Sequence, residues 1–544
     1  MADITQEKLK YYYDKAQKAK EGITEKYNDV LNYTNVSYTI SEEKNENTDT
    51  REIEEVVSES ITTLVNFVMS NVFPRGLRWA SLEINETLYN QGNGEAGQIS
   101  NQNNIQKING DLETVSDTFF DFLNNSNFYT EAAKAVRDAS VLGTGVVKII
   151  EQEDTQRPFL YKYQNLDGFY FLENVFGEPN ICFKSIFELT KEDITELYGK
   201  QAAIPEKAAE DNKTIDLIEC VVPNPDDSKI FNFMVYDAGF ETLVFEAKLK
   251  YNPFVVFRWA LEGNSIWGIG LGILALKLFK DLENFKNLRE QQSARIVNPP
   301  VSIAGNKILI DQIKFEPGHI NYGGSLMNSG MDMGFDGFKV DPMLTSQSLI
   351  PVDQDIAITK SEIKSLFMSN PLGDLAEGKN RSATEVQARM QLFRSRWSGS
   401  YELMQQEFMK PTFMAPLMIL IEKSIVTLSF EESDLDFTVI KYENELSRAG
   451  DIEKVQMLST YANSALNLSN VSQQVGLNRE RTLKYVQNNL AVPEEIKSSQ
   501  EEDEAYTKRV QQEQDRLMAE KALGEALQMQ GQEINQNEEV ENAG

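Results

Sequence analysis

The sequence predicts an α+β protein, predominantly helical and built from more than one domain. Three observations predict it. Apolar residues recur at helical spacing over 51–72, 271–285 and 386–408. Between 146 and 259 the pattern changes to short runs rich in β-branched and aromatic residues, separated by turn signals. A glycine-dense tract, 301–340, then divides two of the helices. At 544 residues the chain exceeds one compact core, and 41% hydrophobic with 10% aromatic residues is the composition of a folded protein.

The elements follow in order. A polar helix rich in Tyr and Lys is expected up to about Ile40, then an irregular stretch over 41–50. Ile53, Val56, Val57, Ile61, Leu64, Val65 and Val68 mark a second helix, stopped by Phe73-Pro74-Arg75-Gly76. The Asn, Gln and Gly of 91–104 read as a loop, followed by helices over 112–128 and 130–142, the latter closed by Gly143-Thr144-Gly145. Strands are expected at 146–150, 159–163, 215–218, 231–236, 242–245 and 253–259. A helix starts at Leu271, with Leu274, Leu278, Leu282 and Phe285 three or four apart, and ends before Pro299-Pro300. The tract 301–340 suits hairpins and tight turns, and a shorter helix covers 353–368.

A polar loop, 369–381, leads to the clearest helix start, the capping box Ser382-Ala-Thr-Glu385. Val386, Met390, Phe393, Trp397, Tyr401, Met404 and Phe408 form a long apolar stripe, and Pro411 and Pro416 should bend the helix near its far end. A strand is expected over 434–442, then polar helices over 450–468, 478–490 and 494–529 in an acidic, Gln-rich tail whose last dozen or so residues read as disordered.

Composition excludes several function classes. A formal net charge of −31 opposes a conventional DNA-binding surface and adhesion to anionic membranes. It suits either plain solubility or a surface that lets phosphate pass without sticking. Cys182 and Cys220 are too few and too far apart for a disulfide framework or zinc site, so reduced, buried thiols are expected. The single histidine, His319, lies in a glycine-rich stretch and reads as a loop residue. Residues 1–10 lack a signal-peptide apolar stretch, and 266–279 is too short, with Lys277 inside it, to span a bilayer; a buried helix in a soluble protein is expected.

The chemical motifs are incomplete. Gly373-Asp-Leu-Ala-Glu-Gly378-Lys379-Asn380 has phosphate-loop spacing, yet Asn380 stands where Ser or Thr must hold magnesium, and no strand precedes it. Gly268-Ile-Gly270-Leu-Gly272 lacks the third-glycine spacing of a dinucleotide site and reads as a turn that starts a helix. The acidic groups Asp434, Asp436 and 501–504 read as solvated surface. No catalytic residue, cofactor site or metal site is assigned.

Several stretches fall into one order. They are Arg51 through Trp79; Ser126-Asn-Phe128, Asp138 and Gly143-Thr-Gly145; and Pro253-Phe-Val-Val-Phe-Arg258-Trp259 with Trp267-Gly268-Ile-Gly270-Leu-Gly272 and Asn298-Pro-Pro300. Ala383-Thr384-Glu385-Val386 and Glu445-Leu446-Ser447-Arg448-Ala449 follow, the last without the Pro often seen there. This ordered set resembles the portal proteins, or head-to-tail connectors, of podovirus-type phages. The resemblance implies a portal fold: an N-terminal wing over 1–265, a first stem helix over 266–297 and a β-rich clip over 298–350. A second stem helix over 351–368, a tunnel loop over 369–381, a long wing helix with C-terminal wing over 382–450 and a helical crown or barrel with acidic tail over 451–544 complete it.

It implies a homo-oligomer as well, a dodecameric ring in the virion, assembled in the host cytoplasm with no membrane. Double-stranded DNA would pass non-specifically through its channel. Terminase, tail adaptor, major capsid and scaffolding proteins would be partners. Lys379, Asn380 and Arg381 on the tunnel loop become candidate DNA contacts, against the bland reading of solvated loop charges. A scaffolding oligomer without a channel and a nucleotide hydrolase are the competing readings.

Overall fold

The computed structural model describes residues 6–34, 55–85, 98–199, 202–205, 214–227, 229–263, 265–303, 314, 316–322, 340–342, 349–368, 397–426 and 438–443. The tunnel loop with Lys379, Asn380 and Arg381, the capping box at 382–385 and the crown at 451–544 lie outside them. The chain divides into two compact units, one drawn from 1–79 and 117–428, the other from 80–116 and 429–544.

In the first unit, α1 (Gln6–Leu31) and α2 (Glu55–Val72) appear where the periodicity places them. The helix α3 (Gln98–Asn125), whose residues 98–116 belong to the second unit, begins well before residue 112, so 98–104 of the expected loop are helical, and 91–97 lie outside the described residues. Asn and Gln are tolerated inside a helix when its later turns bury an apolar face, here Phe119, Phe120 and Leu123. α4 (Phe128–Val141) ends at the positive φ of Gly143.

Strands β2 (Thr144–Glu151), β3 (Phe159–Tyr163) and β9 (Phe254–Arg258) form an antiparallel sheet of order β3-β2-β9. A second antiparallel sheet, of order β4-β5-β6-β7-β8, comprises β4 (Phe169–Glu173), β5 (Pro179–Leu189), β6 (Ile215–Pro223), β7 (Phe231–Asp237) and β8 (Leu243–Leu249). β4 and β5 went unread in the sequence. Both faces of this sheet are covered, so burial runs through consecutive residues such as Cys182, Phe183, Lys184 and Ser185 and the alternation that marks a strand is lost. One face packs on α1 through Leu9, Ala16 and Tyr13, whose ring meets Tyr170, Phe183 and Phe240 edge-on or tilted. The other face meets the smaller sheet, where Phe169 contacts Phe254 and Lys148 reaches Glu219 at 2.5 Å.

Cys182 pairs with Val221 and Cys220 with Phe183, so the two thiols point to opposite faces of the sheet. Both are buried and unbridged, and burial raises both, Cys182 to about 12.

The helix α5 (Lys191–Tyr198) lies between β5 and β6. Next comes α6 (Leu271–Val297), with Leu271, Gly272, Ala275, Phe279 and Leu282 buried; of the buried helix expected over 266–279, residues 271–279 are helical and 266–270 form the turn before it. Three short strands, β10 (Val301–Ile303), β11 (Ile320–Tyr322) and β12 (Val340–Pro342), form a mixed sheet of order β11-β10-β12 inside the glycine-dense tract. His319 sits in coil beside β11, as expected. The chain returns in α7 (Ile350–Leu366), which starts before the predicted 353 with Pro351 in its first turn. α6 and α7 pack antiparallel: Phe279 stacks on Phe367 at 6.2 Å, and Arg289 meets Asp353 at 2.6 Å.

Residues 397–404 are helical and enter a π turn, Gln405–Met409, before α8 (Lys410–Glu422). The π turn comes directly before Pro411, and Lys410 N–H reaches back to Gln405 O. Pro416 sits inside α8 without ending it. Its ring cannot donate to Thr412 O, and the buried Tyr161 hydroxyl donates there instead at 3.0 Å.

In the second unit β1 (Ala80–Ile84) pairs antiparallel with β13 (Thr438–Tyr442). Of the strand predicted over 434–442, residues 438–442 are extended and 434–437 lie outside the described residues. The outer edge of β1 is closed by side chains of α3, since Ser116 Oγ accepts from Leu82 N at 3.3 Å and Asn109 Oδ1 from Ile84 N at 2.9 Å.

Candidate functional site: a glycine-packed, charge-locked junction

The sequence stretches from Phe73 to Gly272 that stand far apart in the chain meet in the first unit. Phe73 and Trp79 pack against Phe128, and Phe408 stacks on Phe257 with ring centroids 4.0 Å apart. Asn127 imitates a neighbouring strand, donating to Tyr161 O at 2.6 Å and accepting from Tyr161 N at 2.9 Å. Glu131 continues that edge by accepting from Tyr163 N at 2.8 Å. The outer edge of β3 is thereby satisfied without another strand.

The two glycine runs exist for each other. A Cβ on Gly268 would stand 2.0 Å from Gly143 O, and one on Gly143 would stand 2.3 Å from Gly268 C and O. Both distances are far below any real carbon contact, so only glycine permits the approach. The backbone contacts are then direct: Trp259 N–H donates to Gly143 O at 2.8 Å, and Gly268 N–H to Thr144 Oγ1 at 3.1 Å. Gly270 is the N-cap of α6, so this run is the helix-starting turn that the sequence suggested.

Arg258, at the end of the apolar strand β9, is 1% exposed. Its Nε donates to both Glu407 oxygens at 3.1 Å, and Nη2 bonds both Glu407 and Gly177 O, the latter at 2.8 Å. Nη1 bonds Glu173 and, at 3.1 Å, Ile266 O. All five guanidinium N–H groups are used, and Arg258 N–H adds a bond to Glu407 Oε2 at 2.9 Å. Burial would lower the Arg258 pKa, but the bonds to Glu407 and Glu173 outweigh it and raise it. One side chain therefore ties β9, the π turn, the β4–β5 hairpin and the turn before α6. The buried arginine in an apolar strand was a legible sign that a carboxylate partner exists. Which carboxylate was not legible, because 149 residues separate the pair.

Two more cations are buried beside this junction on one turn. Lys20 Nζ donates to Leu166 O and lies over the rings of Tyr170 and Trp267. Lys184 Nζ donates to Asn165 O at 3.1 Å, Asn165 Oδ1 at 2.7 Å and Asp167 O at 2.5 Å. Burial lowers the first to about 7 and the second to about 8.

Chemically, the junction holds and orients. Arg258, Glu173 and Glu407 are bonded to one another. Among the described residues no set of three His, Cys, Asp or Glu could hold a metal, and no helix is long and apolar enough to cross a membrane. What the junction positions is the start of α6 and the helix running into α8.

The sequence model of one family, described as bacteriophage head to tail connecting protein, matches residues 6–494. A search of curated proteins finds no match.

Proposed function

This chain belongs to the family of bacteriophage head to tail connecting proteins, and we propose that it works as the portal subunit of a podovirus-type phage, a non-enzymatic ring component at one capsid vertex. Copies would form a closed, dodecameric ring. Double-stranded DNA would pass through its channel during packaging and ejection, with terminase docking first and tail proteins later. Capsid and scaffolding proteins would hold the ring in the virion shell after its assembly in the host cytoplasm.

One observation carries this reading beyond the family: the out-and-back excursion of α6 and α7. Two antiparallel helices flank a small three-stranded sheet, which supports reading them as stem, clip and stem. The Gly143–Gly268 contact and the Arg258 lock root the first helix in the α+β body, so the excursion has a firm base. A net charge of −31 per copy supports a lumen that repels phosphate and lets DNA slide under a motor's force.

On this reading the loop 369–381 reaches the channel, and Lys379 and Arg381, flanking Asn380, touch phosphates transiently. Replacing Lys379 and Arg381 together with Ala should leave ring assembly intact while lowering packaged DNA or its retention severalfold, measured as nuclease-protected DNA per particle. Normal packaging by assembled rings would remove these two residues from the mechanism.

A further inference from the structure

The outer edge of β9 opens onto a cavity of about 860 Å³, lined in part by Phe254, Val256 and Arg258. Trp259 N–H bonds Gly143 O and Ile149 N–H bonds Pro253 O, so in this unbulged ladder Val255 and Phe257 point their backbone groups at β2. Phe254, Val256 and Arg258 point theirs away. Two of those three N–H groups are capped by side chains: Asn252 Oδ1 accepts from Phe254 N at 2.9 Å, and Glu407 Oε2 from Arg258 N at 2.9 Å. Between the caps, no group among the described residues bonds the N–H or C=O of Val256, which is 4% exposed. A buried peptide group without a partner is uncommon, and here the cavity leaves room for one.

The gap is one residue wide. On the opposite edge of the same sheet Asn127 fills the equivalent gap at Tyr161, its amide donating to Tyr161 O and accepting from Tyr161 N. Beyond Val256 the cavity wall includes Met414 and Met418, side chains that adapt to an incoming apolar group. Phe176 and Leu261 also line it while 88% and 47% exposed. The turn that carries Phe176 is already fixed: Asn174 Oδ1 accepts from Phe176 N at 2.8 Å and Glu178 N at 3.0 Å, and Arg258 donates to Gly177 O at 2.8 Å. A preformed wall loses little conformational freedom on docking. Lys250, Arg258 and Lys410 stand against Glu173, Glu178 and Glu407 in the same lining, so it selects neither an anion nor a cation.

We propose that this cavity takes an extended, uncharged segment of a partner protein, one residue of which exchanges both backbone hydrogen bonds with Val256 while its apolar side chains cover Met414 and Met418. Strand addition of this kind draws affinity from the main chain and selectivity from the pocket beside it. Water could bond Val256 but would leave the apolar walls uncovered; a peptide segment does both. The inference goes beyond the ring reading and does not depend on it.

The test uses the full chain labelled with methyl-¹³C methionine, the Met414 and Met418 signals being assigned from Met414→Leu and Met418→Leu. The probes are acetyl-Ala-Leu-Ala-amide and the same peptide N-methylated at each of its three residues. The unmodified peptide should shift both methyl signals and saturate in the millimolar range. The N-methylated peptide, unable to donate to Val256 O, should bind at least about tenfold more weakly, as the loss of one hydrogen bond implies. No shift up to the solubility limit, or equal shifts with both peptides, would overturn the strand pairing. Signals that move with protein concentration before any peptide is added would assign the cavity to a second copy and overturn it as well. Each result is read at this cavity alone, so the ring reading stands or falls separately.

Discussion

Tyr161 shows how one hydroxyl lets a proline remain inside a helix. Pro416 deprives Thr412 O of its helical donor, and the phenol supplies the missing bond at 3.0 Å in a fully buried setting. Tyr161→Phe should destabilise the protein by about 1–3 kcal/mol, the cost of an unsatisfied buried carbonyl, measured from the urea midpoint. An unchanged midpoint would mean that the carbonyl has another partner. Pro416 and its neighbours predicted a bend, but the sequence holds no sign of Tyr161 as the compensating donor, because the two residues meet only through the tertiary fold. Arg258 is the intermediate case: the need for a partner is legible in an apolar strand, the identity of Glu407 is not.

At the scale of elements, the glycine contact and the docking of α1 set the stability of the junction. Gly268→Ala should cost about 3 kcal/mol or more, since its methyl would meet the Gly143 carbonyl at 2.0 Å; a variant as stable as the parent in chemical unfolding would refute the packing account. Lys20 anchors α1 with a pKa lowered to about 7, against roughly 10.4 in an unfolded chain. Between these values the unfolded state binds a proton that the folded state does not, so this group's contribution favours folding more as pH rises from about 7 to about 10.

Lys20→Met should therefore lose part of that pH dependence, its melting temperature relative to the parent being higher at pH 6 than at pH 9. A pH-independent difference between the two would contradict the shift. Elements with one solvated face, such as α2, were plain in the sequence. β4 and β5 were not, because burial on both sides erases alternation, and the first turns of α3 were hidden behind Asn and Gln residues that packing elsewhere makes helical.

For the whole molecule, the sequence and the fold point the same way for different reasons. The ordered stretches from Arg51 to Pro300 were legible as a family pattern, and the fold brings those between Phe73 and Gly272 to one junction. That junction roots a helical excursion in the α+β body. The thiols of Cys182 and Cys220, on opposite faces of one sheet, match the expectation of buried cysteines. The ring proposed above requires that copies of this chain close around an axial channel. Electron microscopy of the purified full chain, alone and with its capsid and scaffold partners, sorted by rotational symmetry, tests it most directly. Closed rings with an open centre are expected; particles that remain monomers, dimers or closed solids under both conditions would contradict the ring.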